Sequence, residues 1–282
     1  MKLSYYPGCS LHGTALEYDR SVRAVFKHLG VDLEELEDWN CCGASAAHSV
    51  DRVLAMSLPA RNLALAQDKG QEVVVPCAAC FSRHRAVEEA LAGGDSKAQE
   101  IAATLGLNPG KLPLTRSVVS ALLDQVGPDK LRQEITRPLE GVALAPYYGC
   151  LMVRPREVAR HPRPEGPQEL DQLIEISGGK AVKWSYKTDC CGGGLSVARS
   201  DVVGGLVEEL LVEAEKAGAE ALVTACPMCL ANLEMRRDKK RSDMPVIYVT
   251  EMVGLAMGVE GIEECLSKHL IDPRPVVSRR WS

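Results

Sequence analysis

Two copies of one cysteine pattern account for ten of the eleven cysteines in this chain of 282 residues. Each copy has a single Cys, then an adjacent Cys-Cys-Gly, then a closing Cys-x-x-Cys. From the adjacent pair to the closing pair, 34 residues intervene in both copies, whereas the opening gap is 31 residues in the first and 39 in the second. Such matched spacing predicts two similar metal-binding pockets. The first set is Cys9, Cys41, Cys42, Cys77 and Cys80, and the second set is Cys150, Cys190, Cys191, Cys226 and Cys229.

The number of thiols in each set restricts the metal. A tetrahedral structural zinc is saturated by four ligands and has no use for a fifth. Soft thiolates also select copper(I) and iron–sulfur clusters, and the usual cluster takes four cysteines. Five thiolates therefore favour an unusual iron–sulfur cluster with a bridging or extra ligand. Since adjacent cysteines cannot chelate one metal without strain, each Cys-Cys pair is expected to ligate different irons of one cluster.

Other interpretations of the cysteines stay open at this point. A disulfide framework is typical of short secreted domains, and this chain is neither short nor visibly exported. A thioredoxin-type Cys-x-x-Cys explains only four of the ten cysteines. A zinc-stabilised scaffold is a third possibility. The eleventh cysteine, Cys265, lies in a helical pattern and is expected to be a buried core thiol.

Composition indicates an ordinary globular protein. The chain is 46% apolar and 25% charged, and it carries a net charge of −5. The negative charge disfavours binding to nucleic acid. The polar opening Met1 to Ser10 and the absence of any run of eighteen apolar residues predict no signal peptide and no membrane span. We therefore expect a cytoplasmic location.

Alternation of short β-rich runs with helical patterns predicts an α/β fold with parallel sheets. The two halves are expected to be similar and Rossmann-like, with a boundary between residues 135 and 136. The predicted strands are Lys2–Tyr6, Val73–Val75, Val142–Ala145, Ala181–Ser185, Ala221–Thr224 and Val246–Val249. The predicted helices are Ala15–Leu29, Val50–Asp68, Phe81–Leu91, Thr115–Gln125, Pro167–Ile176, Asp201–Ala217 and Met228–Arg237. In such sheets, ligands bind beyond the carboxyl ends of the strands. The cysteines come shortly after the ends of predicted strands, so they are expected to meet at that edge.

Glycines stand directly behind both Cys-Cys pairs. A loop that wraps a cluster brings backbone amides close to sulfide and often needs positive φ. Gly43, Gly192 and Gly193 are therefore expected to contact the cofactors. Neither copy matches a dinucleotide or phosphate-loop pattern, so these glycines are not a phosphate cradle, and the chain shows no flavin or nicotinamide fingerprint.

With both copies intact, the sequence resembles the CCG-domain (cysteine-rich) family, and within it the B subunits of heterodisulfide reductases. The stretches Tyr6-Pro7-Gly8-Cys9 and Asp189-Cys190-Cys191-Gly192-Gly193-Gly194 are typical of those B subunits. The 34-residue gap lies at the short edge of the family's spacing and removes no ligand.

The resemblance implies that each set holds a noncubane [4Fe-4S] cluster, with the two clusters near the interface between the halves. It also implies reductive cleavage, or reversible formation, of a disulfide such as CoM-S-S-CoB between those clusters. Electrons would come from an iron–sulfur protein resembling the C subunits of heterodisulfide reductases and, through it, from a flavoprotein resembling the A subunits that bifurcates electrons. The alternative is an electron-transfer CCG subunit of a succinate/fumarate-type or glycolate/lactate-type oxidoreductase.

Protons for the two thiols would come from side chains near the predicted ligands. Arginines that follow Cys150 either hold an anionic substrate tail or form a solvated edge, namely Arg154, Arg156, Arg160 and Arg163. The candidate proton donors are His12, His48, Tyr147, Tyr148 and Lys187.

Overall fold

Two four-stranded parallel sheets organise the protein, whose computed structural model describes residues 1–238 and 241–279. Their strand orders are β2-β1-β3-β4 and β6-β5-β7-β8, and every pairing is parallel. The cysteine repeat is thus also a repeat of topology, and the predicted α/β fold with two similar Rossmann-like halves is confirmed. The strands are β1 Lys2–Tyr5, β2 Asp32–Glu35, β3 Val73–Val75, β4 Thr115–Ser117, β5 Ala143–Tyr147, β6 Lys180–Ala181, β7 Ala221–Thr224 and β8 Val246–Tyr248.

Helices connect the strands and cover the sheets. A π-helical turn spans Ala121–Val126, and 3-10 turns span Pro109–Lys111 and Gly193–Leu195. None of the helices in the described part of the chain combines the length and the hydropathy needed to cross a bilayer. The α-helices are α1 Gly8–Leu11, α2 Leu16–His28, α3 Ala47–Val50, α4 Arg52–Lys69, α5 Ala78–Ala92, α6 Ser96–Leu105, α7 Val118–Ser120, α8 Pro128–Gln133, α9 Arg156–Ala159, α10 Glu169–Ile176, α11 Ser200–Lys216, α12 Pro227–Met235, α13 Val249–Met257, α14 Ile262–Leu266 and α15 Arg274–Val277.

Local sequence explains the central strands and the long helix of the first half. Val73–Val75 and Ala221–Thr224 are fully buried, as continuous apolar runs in parallel sheets are. Helix α4 begins where the Asp51 carboxylate accepts a hydrogen bond from the Leu54 amide at 2.6 Å. It ends at Gly70, whose φ of +62° suits a left-handed C-cap.

Several predicted elements were wrong in extent or missing. The strand β2 was not predicted because three of its four residues are charged, as an edge strand allows. Residues Thr115–Ser117, predicted as the start of a helix, form β4 and pair with β3. The predicted strand Ala181–Ser185 pairs only at Lys180–Ala181. Helix α13 was missed because it is buried on every side and has no polar face.

The two halves share one hydrophobic core. Helix α2 of the first half packs against α13 of the second. At this contact the rings of Tyr18 and Tyr248 stack with centroids 3.9 Å apart, and the hydroxyls of Ser21 and Thr250 lie 2.7 Å apart. The predicted boundary between residues 135 and 136 falls between the two sheets, and it stays a prediction.

A buried charged triad ties the end of the chain to the second half. His269 donates from Nε2 to Glu251 Oε2 at 2.8 Å, and its Nδ1 faces Glu234 Oε1 at 3.3 Å as an ion pair. The side chains of His269 and Glu251 are 0% exposed and that of Glu234 is 6% exposed. Burial opposes a charged ring, but the two carboxylates outweigh it and raise the pKa of His269 to about 10.

Replacing His269 by leucine is expected to destabilise the fold by about 3–5 kcal/mol at pH 7, because two buried carboxylates lose their cation. Since the folded pKa of about 10 exceeds the ordinary histidine value of about 6.5, the stabilisation is complete below about pH 6.5 and disappears as the pH rises through about 10. Urea unfolding of wild type and variant across this range measures both effects.

The matched control is His28→Leu. His28 faces Glu134 at 3.3 Å on the surface, with 35% and 38% of the side chains exposed. A surface pair of this kind contributes at most about 1 kcal/mol. Equal losses in the two variants would contradict the assigned role of His269.

Candidate metal centre

Strand ends position both cysteine sets. In the first half, β1 ends at Tyr5 shortly before Cys9, and β3 ends at Val75 shortly before Cys77. In the second half, β5 ends at Tyr147 before Cys150, and β7 ends at Thr224 before Cys226. The Cys-Cys pairs lie in the loops that follow β2 and β6. Because the carboxyl ends of parallel strands meet at one edge of a sheet, the loops converge there.

The sulfur atoms of each set come together in the same pairs. In the first set, Sγ of Cys9 lies 3.9 Å from that of Cys41, and Sγ of Cys42 lies 3.0 Å from that of Cys80. The second set repeats this arrangement. There the Sγ separations are 3.7 Å for Cys150 with Cys190 and 3.5 Å for Cys191 with Cys229.

The two sets meet across the interface between the halves. The thiols of Cys77 and Cys226, each the first residue of a Cys-x-x-Cys, lie close enough to shift each other's pKa: Cys226 is the main cause that raises the pKa of Cys77, and Cys229 together with Cys77 lowers that of Cys226. Both are buried, with 3% of their surface exposed. The Tyr18 hydroxyl donates to the carbonyl of Pro76 at 3.4 Å, which connects the stacked tyrosines of the interface to this junction. The ten sulfurs thus form one continuous region with a buried centre.

Each set has a buried side and a side nearer to solvent. Cys9, Cys41 and Cys190 are exposed, and Cys150 is half-buried. The other members are buried, namely Cys42, Cys77, Cys80, Cys191, Cys226 and Cys229. Solvent therefore reaches each set first at its opening cysteine and at the first cysteine of its adjacent pair. Cys265 is buried in α14, apart from both sets by sequence, as predicted.

Hydrogen bonds among the thiols favour a thiolate within each set. Contacts from Cys41 and Cys80 lower the pKa of Cys42 to about 3. A hydrogen bond from Cys150 lowers the pKa of Cys190 to about 6. Burial acts in the opposite direction on both thiols. The pKa values of the partner thiols Cys41, Cys80 and Cys150 are raised. Since metals bind the thiolate, the shifts favour the ligating form for Cys42 and Cys190 only.

A glycine directly before the opening cysteine leaves room for sulfur. Gly8 has a φ of +72°, and a Cβ there would lie 3.3 Å from Sγ of Cys80. Gly149 has a φ of +62°, and its Cβ would lie 3.1 Å from Sγ of Cys229. Both positions combine a left-handed backbone with close sulfur contact, so a larger residue disturbs the ligand set.

The glycines predicted behind the Cys-Cys pairs differ from one another. Gly43 and Gly192 have positive φ, at +73° and +76°, as predicted. Their amides point at the preceding pair, with Gly43 N 3.5 Å from Sγ of Cys41 and Gly192 N 3.3 Å from Sγ of Cys190. Gly193 begins a 3-10 turn, and a Cβ there would lie 3.6 Å from Sγ of Cys191. Their contact with a cofactor stays a prediction.

Tyrosines hold the Cys-Cys loops in the same way in both halves. The hydroxyl of Tyr6 donates to the carbonyl of Asn40 at 2.9 Å, and that of Tyr147 donates to the carbonyl of Asp189 at 2.8 Å. Each carbonyl belongs to the residue just before a Cys-Cys pair. Burial raises the pKa of Tyr147, so it stays a neutral donor. We infer an anchoring role for both tyrosines.

The donor set fits iron–sulfur clusters better than single ions. Across residues 1–238 and 241–279, no three His, Cys, Asp or Glu side chains converge on one point as a mononuclear site requires. The sulfurs instead approach one another in pairs within each set, which suits a cluster whose thiolates bind different irons. Backbone amides directed at sulfur, as at Gly43 and Gly192, are also usual around such clusters.

The predicted proton donors are all engaged with protein partners. His12 Nε2 lies 3.1 Å from Glu35, and His48 Nδ1 lies 2.9 Å from Arg83. The hydroxyl of Tyr147 donates to the carbonyl of Asp189. Tyr148 and Lys187 share one partner. Tyr148 donates to the Asp171 carboxylate at 2.8 Å, and Lys187 contacts the same carboxylate at 3.2 Å. Their role in proton transfer stays a prediction.

Most of the arginines after Cys150 pair with nearby side chains. Arg154 contacts Glu165, and Arg163 donates to Gln168 at 2.6 Å. Arg160 reaches across the interface to Glu89 on α5. This segment belongs to the longer opening gap of the second copy, so the additional residues fasten the halves together.

A cleft of about 370 Å³ lies under that segment. Its apolar walls come from both halves, since Phe81 follows Cys80, while Met152 and Val153 follow Cys150. Arg160 and His161 form part of its polar side. No motif predicts this cleft, because residues distant in the chain build it.

Sequence reasoning also missed His84. It is 0% exposed, and its Nδ1 lies 2.8 Å from the carbonyl of Cys80. Its ring centroid lies 4.8 Å from that of Tyr6. Aligning the two copies would have revealed it, because Leu233 occupies the same place after the second Cys-x-x-Cys.

Comparison with a solved structure supports the fold. A hypothetical protein from Helicobacter pylori superposes with a TM-score of 0.69 over 96% of this chain, at 11% sequence identity. This chain covers 52% of that solved chain, so it spans about half its length.

Curated relatives match along nearly the whole chain. The 8-methylmenaquinol:fumarate reductase membrane anchor subunit of Wolinella succinogenes is 27% identical over 96% of this chain and 97% of its own length. The B subunit of the ferredoxin/F420H2-dependent CoB-CoM heterodisulfide reductase of Methanosarcina acetivorans is 28% identical over 93% of each chain. These relatives support an oxidoreductase role that uses iron–sulfur clusters.

The model of the CCG cysteine-rich domain matches residues 3–83 and 144–234, which contain the two cysteine sets. The two matches together cover more than half of the chain. They cover the cysteine loops and the first three strands of each sheet, and they leave out β4 and β8. This protein belongs to the CCG cysteine-rich domain family.

Proposed function

We propose that this chain is the catalytic subunit of a heterodisulfide reductase-like complex in the cytoplasm. It reductively cleaves, or reversibly forms, a disulfide such as CoM-S-S-CoB. Each five-cysteine set holds one noncubane [4Fe-4S] cluster, and the ten cysteines are the ligands. The likeness to a heterodisulfide reductase B subunit of Methanosarcina acetivorans over 93% of both chains supports this assignment.

One observation carries the proposal: two equivalent cysteine sets meet at the Cys77–Cys226 contact. Cleaving a disulfide to two thiols consumes two electrons and two protons. Iron–sulfur clusters supply electrons one at a time and offer iron as a Lewis acid for sulfur. A pair of adjacent centres in one chain therefore matches the electron count of the reaction.

The chain's own residues keep the two sets in position and limit access to them. Tyr6 and Tyr147 fix the Cys-Cys loops, and the stacked pair of Tyr18 and Tyr248 holds the halves together. Burial of Cys77 and Cys226 excludes water from the junction. Substrate consequently approaches from the exposed side of each set.

We place the organic part of the disulfide in the cleft between the halves. Its apolar walls, which include Phe81 just after Cys80 and Met152 just after Cys150, suit a thiol with an apolar arm. Protons reach the departing sulfurs through His12, His48 or the group of Tyr148, Lys187 and Asp171. That group already connects a hydroxyl, an ammonium and a carboxylate near Cys150.

Electrons come from partner proteins in this proposal. The partners are an iron–sulfur protein resembling the C subunits of heterodisulfide reductases and a bifurcating flavoprotein resembling the A subunits. The exposed cysteines Cys9, Cys41 and Cys190 bring the sets close to the surface, which suits electron transfer from a docked protein.

A second candidate function is electron transfer without disulfide chemistry. The Wolinella succinogenes relative, named as the membrane anchor of a fumarate reductase, matches 96% of this chain and favours it. In that case the chain relays electrons within a fumarate-type or lactate-type oxidoreductase and needs no proton donors beside the sets.

Cysteine substitutions test the ligand assignment and the reaction together. Cys42→Ser and Cys191→Ser are each expected to remove one cluster, about four of the roughly eight irons and sulfides that this chain holds, and to abolish disulfide cleavage driven by a reduced viologen dye. The measurements are iron and sulfide analysis of anaerobically purified complex and release of thiol from CoM-S-S-CoB.

The matched control is Cys265→Ser, since Cys265 is buried in the core and belongs to neither set. It is expected to keep full iron and full turnover. Unchanged iron in Cys42→Ser would overturn the five-ligand assignment. Full iron without thiol release in the wild type would favour the electron-transfer function.

Glycine substitutions test how tightly the loops enclose sulfur. Gly8→Ala and Gly149→Ala are expected to lower the iron content, because the new Cβ would lie 3.3 Å and 3.1 Å from a ligand sulfur. Gly106→Ala is the control, with a φ of +71° and no atom within 4 Å. It carries the same backbone strain, about 1–2 kcal/mol, without touching sulfur. Equal iron contents in the three variants would argue against the assigned role of Gly8 and Gly149.

A further inference from the structure

The cleft between the halves adjoins a second, more open hollow of about 470 Å³. Three residues line both spaces, namely Arg160, His161 and Pro162. Arg156 and Glu157 complete the lining of the open hollow, and these five residues are called the mouth below. The cleft and the mouth therefore form one site with an apolar interior and a charged entrance.

The interior of the cleft is adjacent in the chain to two of the cysteine loops. Tyr148 and Met152 stand on either side of Cys150 in the sequence, and Phe81 directly follows Cys80. All three side chains line the cleft. A ligand arm that occupies this space is therefore held by the same loops that carry the cysteines.

Both carboxylates in the cleft lining contact basic side chains. Asp124 lies 2.7 Å from Nη1 of Arg116, and Glu169 lies 3.1 Å from Nε2 of His161. The interior thus offers apolar contact with little uncompensated charge, which suits the aliphatic arm of a thiol.

The mouth is more cationic than the interior. Two arginines, Arg156 and Arg160, line it together with the single carboxylate of Glu157. The corresponding stretch of the first half, residues 10–19, contains no arginine, whereas residues 151–160 contain three. A cationic entrance is thus a property of the second half alone.

Arg160 can turn to a ligand without leaving a buried charge unpaired. It contacts Glu89 on α5, and Arg85 holds the other oxygen of the same carboxylate at 2.9 Å. The side chain of Arg85 is 13% exposed and that of Arg160 is 63% exposed. Glu89 would therefore keep its buried cation, and the ion pair that opens is an exposed one of small stability.

We propose that Arg160, together with Arg156, binds the anionic end of a thiol whose aliphatic arm fills the cleft. The substrate class is an aliphatic thiol, or its disulfide, that ends in a carboxylate, sulfonate or phosphate. The planar guanidinium group binds such oxyanions through two parallel hydrogen bonds. The inference rests on the proposed function, because it identifies the thiol that the cleft accepts. Only one half of the disulfide is recognised in this way.

Binding of ligands that cannot be cleaved tests the anion site apart from turnover. The probes are the methyl thioethers of mercaptohexanoate and of mercaptohexanol, which share one arm and differ only in the terminal group. Isothermal titration calorimetry on the complete complex, purified without oxygen, measures both affinities. We expect the carboxylate to bind about ten-fold more tightly than the alcohol, because it forms a charge-assisted hydrogen bond.

Variants separate recognition of the anion from attachment of the halves. Arg156→Gln and Arg160→Gln are each expected to lose most of the preference for the carboxylate while keeping the affinity for the alcohol and the iron content. Arg163→Gln is the matched control, since Arg163 lies in the same segment and donates to Gln168. Glu89→Gln releases Arg160 from its ion pair and should keep or increase the preference. Equal losses in Glu89→Gln and Arg160→Gln would contradict the proposal.

The outcomes distinguish this proposal from the proposed function. Wild-type complex that binds both thioethers equally, or binds neither, overturns the anion site. If that complex still releases thiol from a disulfide, the proposed function stands. A ten-fold preference in a complex that has full iron but cleaves no disulfide supports the anion site and overturns the disulfide chemistry. Arg156 is exposed and outside the ion pair, so Arg156→Gln keeps the test decisive even if Arg160→Gln does not fold.

Discussion

The packing of α2 against α13 determines where the chemistry can occur. The stacked rings of Tyr18 and Tyr248 hold the two halves in contact. The Tyr18 hydroxyl also donates a hydrogen bond to the carbonyl of Pro76, the residue before Cys77. Because each sheet ends in a Cys-x-x-Cys loop, this contact places Cys77 against Cys226. Without it the chain would hold two separate metal pockets. With it, the ten sulfurs form one region with a buried junction and two exposed sides.

Residues that are equivalent in the two halves and residues that differ between them have different consequences for the site. Equivalent residues such as Gly8 and Gly149, or Tyr6 and Tyr147, build equivalent pockets. The departures give the halves different properties. The longer opening gap of the second copy contributes the Arg160 contact and one wall of the cleft. An asymmetric substrate, one with two different thiol halves, suits a site with unequal sides.

Much of the fold and of the candidate metal centre could be predicted from the sequence, because cysteine spacing is itself a structural constraint. The spacing implied the repeat, and the alternation of β-rich runs with helical patterns implied the parallel sheets and the position of the cysteines at strand ends. The edge strand Asp32–Glu35 could not be predicted, since its charged residues give no apolar signal. Helix α13 was equally hidden, because a segment buried on every side has no helical periodicity. Contacts between distant residues, such as Cys77 with Cys226, follow only from the packing of the halves.

The central claim is that disulfide sulfur binds at these two cysteine sets. The most direct measurement is the EPR spectrum of the anaerobic complex under oxidising conditions, before and after adding a candidate thiol labelled with ³³S, alongside iron, zinc and sulfide analysis. The account predicts about eight irons and eight sulfides per chain and a new signal broadened by ³³S. Zinc in place of iron, or full iron with no thiol-dependent signal from any candidate thiol, would contradict it.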